Sequence, residues 1–404
     1  MDMSAAAAPF GSRFIWLFLG GFVLAIALER HHLHRRFALK LLHALGGGPR
    51  RTLMGFMLAT ALLSMWISNT ATTLMMLPMA VAVLGLLEEQ GDAAQWGNAL
   101  ILGIAYSANV GGMATLVGTP PNAALAGVAA DRFGVDIGFG EWMAVGLPIS
   151  MILLLAVFLM LARRYAVPAQ EGTGGGEVIQ RELLALPAMA SAEKRVLVLF
   201  AATAALWMFR VPLNALLAET GVALNDTSIA VAAAIACFAW RDGEKGQPLL
   251  AAEDLKRLPW DILLLFGGGL ALAKGFEAAG WAASIAEGAT GWGWPIAGMM
   301  VAVTVMGLFA TELMSNLALT LLLTPVVGAM ALGMEVHPMH FAVPVTLASS
   351  CAFMLPMATP PNAIVFSSGR ISMAEMARTG LLLNAVACAL VLLLWWCLAP
   401  AVWW

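Results

Sequence analysis

Of 404 residues, 61% are apolar and 11% charged, where an ordinary soluble domain carries about 25% charged residues. With a mean hydropathy of +0.86, a chain of this length has more apolar surface than water tolerates, so its solvent must be lipid. The net charge of −3, from 21 basic and 24 acidic side chains, leaves no basic face and argues against a nucleic-acid partner.

Apolar stretches fall at about 14–28, 53–87, 98–130, 142–162, 196–217, 228–240, 260–286, 295–334, 341–368 and 379–400. A bilayer core takes about 20 helical residues, so several of these read as single spans. The stretches 53–87 and 295–334 are too long for that. Each carries Ser-Asn in its middle and a proline further on, Pro78 and Pro325. Polar residues and a helix breaker at mid-membrane predict re-entrant hairpins whose tips line a cavity, because open backbone facing lipid is too costly. The stretches 98–130 and 341–368 are each interrupted by Thr-Pro-Pro-Asn. Pro120–Pro121 and Pro360–Pro361 remove backbone donors and push the preceding residue out of helical geometry, which predicts discontinuous helices with unwound centres. The segments 163–195, with its glycine run 172–176, and 241–259 read as linkers.

Charge sets the orientation. If the first span runs inward and both hairpins return to their own side, the cytoplasmic segments are 29–51, 163–195, 241–259 and 369–378. These hold 17 of the 21 Lys and Arg; Arg13, Arg132, Arg210 and Lys274 are the rest. That asymmetry is a strong positive-inside signal, and it brings the first hairpin in from the cytoplasm and the second from outside.

The chain also repeats itself. At an offset of 247, Leu19-Gly20-Gly21 meets Phe266-Gly267-Gly268, Ser64 meets Thr311, and Ser68-Asn69 meets Ser315-Asn316. Ala71, Thr73 and Pro78 meet Ala318, Thr320 and Pro325 in the same register, and Thr119–Ala123 meets Thr359–Ala363 at 240. With the orientation above, the copies 1–162 and 196–404, joined by the cytoplasmic linker 163–195, run in opposite directions. The fold class expected is an all-α polytopic membrane protein, an inverted-repeat secondary transporter. Its parts are two re-entrant hairpins (about 53–87 and 295–334) and two broken helices (about 98–130 and 341–368), with substrate held at the midplane. Small residues that merely let helices pack closely are the plain alternative, but packing does not require a repeated Asn or a Pro-Pro-Asn break.

Ser68-Asn69-Thr70 and Ser315-Asn316, with Gly118-Thr-Pro-Pro-Asn122 and Ala358-Thr-Pro-Pro-Asn362, resemble the divalent-anion/sodium symporter family. That family includes the INDY proteins and carries dicarboxylates, citrate or sulfate. The resemblance covers essentially the whole chain from about residue 14, which corresponds to the family's fourth span, so N-terminal scaffold helices are expected to be missing.

No Lys or Arg lies near either hairpin tip or either break. An anion must then be held by neutral donors, helix N-termini and bound cations. Ser68, Asn69 and Thr70 at one tip, with Ser315 and Asn316 at the other, supply hydroxyl and amide donors for the two ends of a dicarboxylate. The resemblance implies the same substrate-binding set, with Thr359 and Pro360 at the cavity wall. It also implies two Na⁺ sites, one of Ser64, Ser68, Asn69 and Gly118, the other of Thr311, Ser315, Asn316 and Ala358. Side-chain oxygens and unwound carbonyls are what a hard cation takes. Ser64 read alone equally suits a back-bond to its own helix; its counterpart Thr311 favours ligation. Leu317 stands where the first tip has Thr70, one donor fewer, which weighs against sulfate relative to a C4 dicarboxylate.

The expected function is Na⁺-coupled transport of a divalent anion such as succinate, malate or fumarate, by alternating access, in the inner (plasma) membrane. A cation-independent exchanger, or a sulfate or citrate carrier of the same fold, is the alternative. Na⁺ is the coupling ion, with no organic cofactor and no catalytic residue; the partners are a small dianion and the bilayer, with a homodimer left open. A channel suits paired hairpins from opposite sides less well than alternating access does. A hydrolase built on Ser68 or Ser315 lacks a base, since the six His fall at 31–43 and 337–340. The Glu29–Arg36 segment reads as headgroup-facing rather than metal-binding. Cys237, Cys351, Cys388 and Cys397 lack CxxC spacing. Trp395, Trp396, Trp403 and Trp404 read as interfacial anchors, and Gly267–Gly269, without a following Lys-Ser/Thr, as helix packing.

Overall fold

The computed structural model describes residues 3–45, 47–89, 96–168, 176–221, 223–243, 246–281, 284, 287–288 and 291–403. Regular structure among them is helical, and the β feature present is an isolated bridge between Arg241 and Pro248. Helix α1 (Arg13–Arg30) bends by 68° into α2 (Leu33–Leu45). A helix pair follows, α3 (Pro49–Ser64) and α4 (Asn69–Glu89), then α5 (Gly97–Gly112) and α6 (Pro120–Phe133) on either side of an interruption. Next come α7 (Phe139–Arg164), α8 (Gly176–Leu184), α9 (Ser191–Met208), α10 (Arg210–Leu217), α11 (Asp226–Ala239) and α12 (Trp260–Ala278). The pattern then recurs: a pair α13 (Ile296–Ala310) and α14 (Asn316–Gly333), an interrupted α15 (Met339–Ser349) and α16 (Pro360–Phe366), and a long α17 (Met373–Trp403).

Proline chemistry sets the interruptions. Pro120 and Pro360 open α6 and α16 at the first helical position, where the missing N–H has no intrahelical acceptor anyway. Thr119 (φ −142°, ψ 142°) and Thr359 (φ −142°, ψ 150°) are extended, as sterics ahead of proline require. Pro78 and Pro325 behave differently. Both lie inside continuous helices, and the chain leaves helical geometry ahead of Asn69 and Asn316 instead. One mid-helix proline frees one carbonyl, which neighbouring helices can tolerate in a membrane bundle; two adjacent prolines with an extended predecessor cannot be absorbed in that way.

The interrupted helices are the centre of the molecule. All of α5 is buried except Asn98, and all of α15 except His340. α3 lies directly on α5, since a Cβ at Gly111 would sit 2.3 Å from the Ala61 carbonyl oxygen, so the two backbones touch only because it is absent. Outer helices turn large apolar side chains away from the core, among them Met151, Leu155, Val198, Leu264, Val301 and Leu393, which suits lipid rather than water. Phe139–Arg164, Asn316–Gly333 and Met373–Leu398 are each long and apolar enough to cross a membrane.

Two segments carry more structure than expected. Within 163–195, α8 packs against α2 and buries Ile179; glycine-run positions 172–175 lie outside the described residues. The basic 29–51 segment is mostly helix α2, and three of its six basic side chains form ion pairs within the protein: Arg35 with Glu182 (2.6 Å), Arg36 with Glu193 (2.5 Å) and Arg30 with Asp254, while its Glu29 pairs with Arg257 (2.8 Å). No cluster of three or more His, Cys, Asp or Glu suited to a metal occurs among the described residues. Trp395 is fully buried in the core and cannot anchor at an interface, whereas Trp396 is exposed; the side chain of Trp403, and Trp404, lie outside the described residues.

Desolvation holds His34 below the ordinary imidazole range despite its 3.1 Å bond to the Leu28 carbonyl, and His32, Arg257 and Arg35 press the same way. His34 is thus favoured neutral in the folded state, and stability is lost as pH falls through the ordinary imidazole value. The purified protein should melt at lower temperature at about pH 5.5 than at about pH 7.5, and His34→Gln should remove part of that difference. An identical pH slope in the variant would refute the assignment.

Candidate functional site

The turn between α3 and α4 brings Asn69 back beside the end of α3. There Ser64 Oγ lies 2.5 Å from Asn69 Oδ1 and 2.7 Å from the Ala108 carbonyl of α5, with Ser64 fully buried. Ser64 therefore turns away from its own helix, unlike Thr60, which back-bonds to Phe56. A hydroxyl has one proton, and it faces two acceptors here. Gly112 and Gly118 keep the neighbouring space open: a Cβ on Gly112 would meet Asn69 Oδ1 at 2.8 Å and the Gly118 carbonyl at 3.2 Å.

The same bonds recur in the second half. Thr311 Oγ1 reaches Asn316 Oδ1 at 2.6 Å and the Ser349 carbonyl of α15 at 2.8 Å. Thr73 donates to the Asn69 carbonyl at 2.8 Å, and Thr320 to that of Asn316 at 2.9 Å. Each unwound segment is stitched by its own asparagine. Asn122 Nδ2 donates to the carbonyls of Gly112, Met113 and Thr115 at 3.1, 3.2 and 2.7 Å, and Asn362 Nδ2 to those of Ala352 and Leu355 at 2.9 and 3.0 Å. Both asparagines are fully buried, and in both the Oδ1 atom lacks a partner among the described residues. The internal repeat is thus written in hydrogen bonds as well as in letters.

Around each cluster are uncommitted donors. Ser68 and Ser315 are exposed, and neither hydroxyl has a hydrogen-bond partner among the described residues. The Nδ2 groups of Asn69 and Asn316 are similarly free, while their Oδ1 atoms point into the clusters. Thr70 is partly exposed, but Leu317 packs in the apolar core, so the two tips are unequal. Of the break residues, Gly118, Ala358 and Thr359 are buried and Pro360 is exposed. Neutral oxygens crowded around a single proton suit a hard cation, and free N–H and O–H groups beside them suit an anion.

Glu312 escaped the sequence reading. It follows Thr311, is 3% exposed, and its Oε1 accepts from the backbone N–H groups of Phe353 and Met354 at 2.9 and 3.0 Å. Its Oε2 accepts from the N–H of Leu355 at 3.1 Å, and Asn384 Nδ2 on α17 donates to Oε1 at 2.7 Å. The signal was present, since a lone carboxylate within an apolar stretch is a functional-site candidate by default. The first half has Met65 in that place, whose carbonyl accepts from Thr115 Oγ1 at 2.6 Å.

A bundle of apolar helices, interrupted twice around paired polar clusters, defines a polytopic helical membrane protein. The chain belongs to the sodium:sulfate symporter family, whose transmembrane-region model matches residues 1–404. It is 38% identical over 419 residues to the sodium-dependent dicarboxylate transporter SdcS of Staphylococcus saprophyticus, covering 100% of this chain and 79% of that protein. It is 36% identical over 412 residues to the SdcS of Staphylococcus aureus strain USA300, covering 98% and 78%. Among solved structures it resembles Neisseria gonorrhoeae MtrF, described as one of a class of antimetabolite efflux pumps, with a TM-score of 0.61, 14% identity, and 96% and 80% coverage. That likeness concerns the fold alone.

Glu312→Gln should replace charge-assisted bonds by weaker ones and turn an N–H₂ toward a backbone donor, costing about 2 kcal/mol. Hydrogen exchange at Phe353–Leu355 should accelerate while Gly112–Thr115 keeps its protection. Equal exchange at both breaks in variant and wild type would contradict the bonding described.

Proposed function

We propose that the chain is a Na⁺-coupled carrier of C4 dicarboxylates such as succinate, malate or fumarate, working by alternating access in the cell's plasma membrane. The observation that carries this reading is the doubled oxygen cluster at Ser64–Asn69–Ala108 and Thr311–Asn316–Ser349. The named activity of its 38% and 36% identical relatives supports the same choice of cation and anion.

In this reading the halves 1–162 and 196–404 are inverted repeats, and each helix pair is a re-entrant hairpin carrying one cation site at its tip. One Na⁺ binds among Ser64, Ser68, Asn69 and the Gly118 carbonyl, and a second among Thr311, Ser315, Asn316 and the Ala358 carbonyl. The dianion lies between the tips on Ser68, Asn69, Thr70, Ser315 and Asn316, against Thr359 and Pro360. The two asparagines face both ways, with carbonyl oxygen to the cation and amide N–H₂ to the carboxylate. Cation and anion then raise each other's affinity, as linkage requires. An uncompensated charge at the bilayer centre costs roughly 2.5–3.5 kcal/mol on insertion scales, so the loaded carrier needs its cations to cross.

Purified protein in liposomes should take up labelled succinate only with an inward Na⁺ gradient. Asn69→Ala or Asn316→Ala should abolish uptake in a folded protein, whereas Ser64→Ala or Thr311→Ala should chiefly raise the Na⁺ concentration required. Uptake indifferent to Na⁺ but driven by internal dicarboxylate would replace the symporter with an exchanger. Sidedness has its own test: in a cysteine-free background, Lys40→Cys on the exposed side of α2 should react with an impermeant thiol reagent only from the cytoplasm. Labelling of intact cells would reverse the orientation.

A further inference from the structure

Asn109 stands one residue beyond Ala108, whose carbonyl closes the first cluster, and is 2% exposed. Its Nδ2 donates from the first half to the second, reaching Thr359 Oγ1 at 3.2 Å. The same oxygen accepts from the backbone N–H of Asn362 at 3.3 Å, capping α16. A hydroxyl oxygen has two acceptor positions and one proton. Both acceptor positions of Thr359 are therefore filled. Its proton has no acceptor among the described residues, although the side chain is only 4% exposed. Buried donors left without acceptors are rare in folded proteins and call for an explanation.

The opposite link is not made. Ser350 follows Ser349 as Asn109 follows Ala108, yet its buried hydroxyl has no partner among the described residues, and Thr119 makes no side-chain cap. The bond across the halves thus serves one hydroxyl, that of Thr359.

We propose that Asn109 is a positioning residue for substrate recognition: by occupying a lone pair of Thr359 it leaves that hydroxyl able only to donate, and the acceptor it awaits is a carboxylate oxygen of the bound dianion. This rests on the dicarboxylate reading above and adds a source of selectivity to it. A donor-only hydroxyl favours an anionic oxygen over a substrate hydroxyl, whose oxygen is the weaker acceptor and whose own proton finds no acceptor there. Without Asn109, Thr359 regains a free lone pair and can serve either group.

The test is equilibrium binding of succinate and malate, in Na⁺, to wild type, Asn109→Ala and the near-isosteric Asn109→Leu. Both variants should bind succinate about five- to tenfold more weakly, the loss expected when the Thr359 hydroxyl is no longer held as a donor, and malate less so, lowering the succinate-to-malate preference. In a Thr359→Ala background, Asn109→Ala should add nothing, because the two residues act as one unit. An equal loss for both ligands, or an effect additive with Thr359→Ala, overturns the proposal, since either marks a merely structural Asn109. If wild type binds neither succinate, malate nor sulfate, the dicarboxylate reading falls and takes this inference with it. Succinate binding by wild type that is unchanged in both Asn109 variants sinks this inference alone.

Discussion

Backbone that leaves helical geometry at membrane depth must find its hydrogen bonds inside the protein, because lipid offers none. In this chain the duty falls on two side-chain amides. Asn122 and Asn362 gather the carbonyls of the two unwound segments onto single nitrogen atoms, and Trp142 adds a 3.0 Å bond to the Met113 carbonyl. Once those carbonyls are held, the segments can stay open without collapsing into helix. The rest of the arrangement follows from that. The turns that follow α3 and α13 meet the central helices beside these breaks, and the oxygen clusters form there.

The two halves share this plan but solve the N–H side of it differently. The second break presents three consecutive backbone donors to Glu312, which also holds Asn384 of α17. At the corresponding place in the first half a main-chain carbonyl, that of Met65, receives a threonine hydroxyl. One half is therefore clamped by a charge-assisted network and the other by neutral bonds, which are roughly half as strong. The hydrogen-bond skeleton is thus nearly symmetric between the halves while the charge is not.

What could be read from the sequence was what depends on local chemistry. Tandem proline lacks two N–H groups wherever it occurs, so the starts of α6 and α16 were legible from Pro120–Pro121 and Pro360–Pro361 alone, whereas the ends of α5 and α15, several residues earlier, were not. Single prolines were misleading, because the fate of Pro78 and Pro325 depends on neighbours that the local sequence does not name. The repeat was legible because identical letters recur at a fixed offset. The charges of 29–51 were expected at headgroups, yet their acidic partners Glu182, Glu193 and Asp254 lie far along the chain. Distance in sequence also hid the two most informative contacts. Glu312 meets Phe353 across 41 residues, and Asn109 meets Thr359 across 250.

Charge gives the asymmetry a consequence for the proposed transport. A dianion enters a region whose hairpin tips carry no basic side chain and where the second half already holds one buried carboxylate. On the reading above, every negative charge added there raises the field that a cation feels at the adjacent Thr311–Asn316 cluster, and in a low-dielectric interior that field falls off slowly. Cation binding and anion binding are then not separable events that happen to share a pocket. On that reading, the neutral oxygens of the clusters hold a cation more tightly once the dianion is present, and the neutral donors at Ser68 and Ser315 hold the dianion more tightly once the cations are. A site that works in this way favours the fully loaded state over each partly loaded one, and under the proposed mechanism that preference, rather than any single strong contact, would couple the two fluxes.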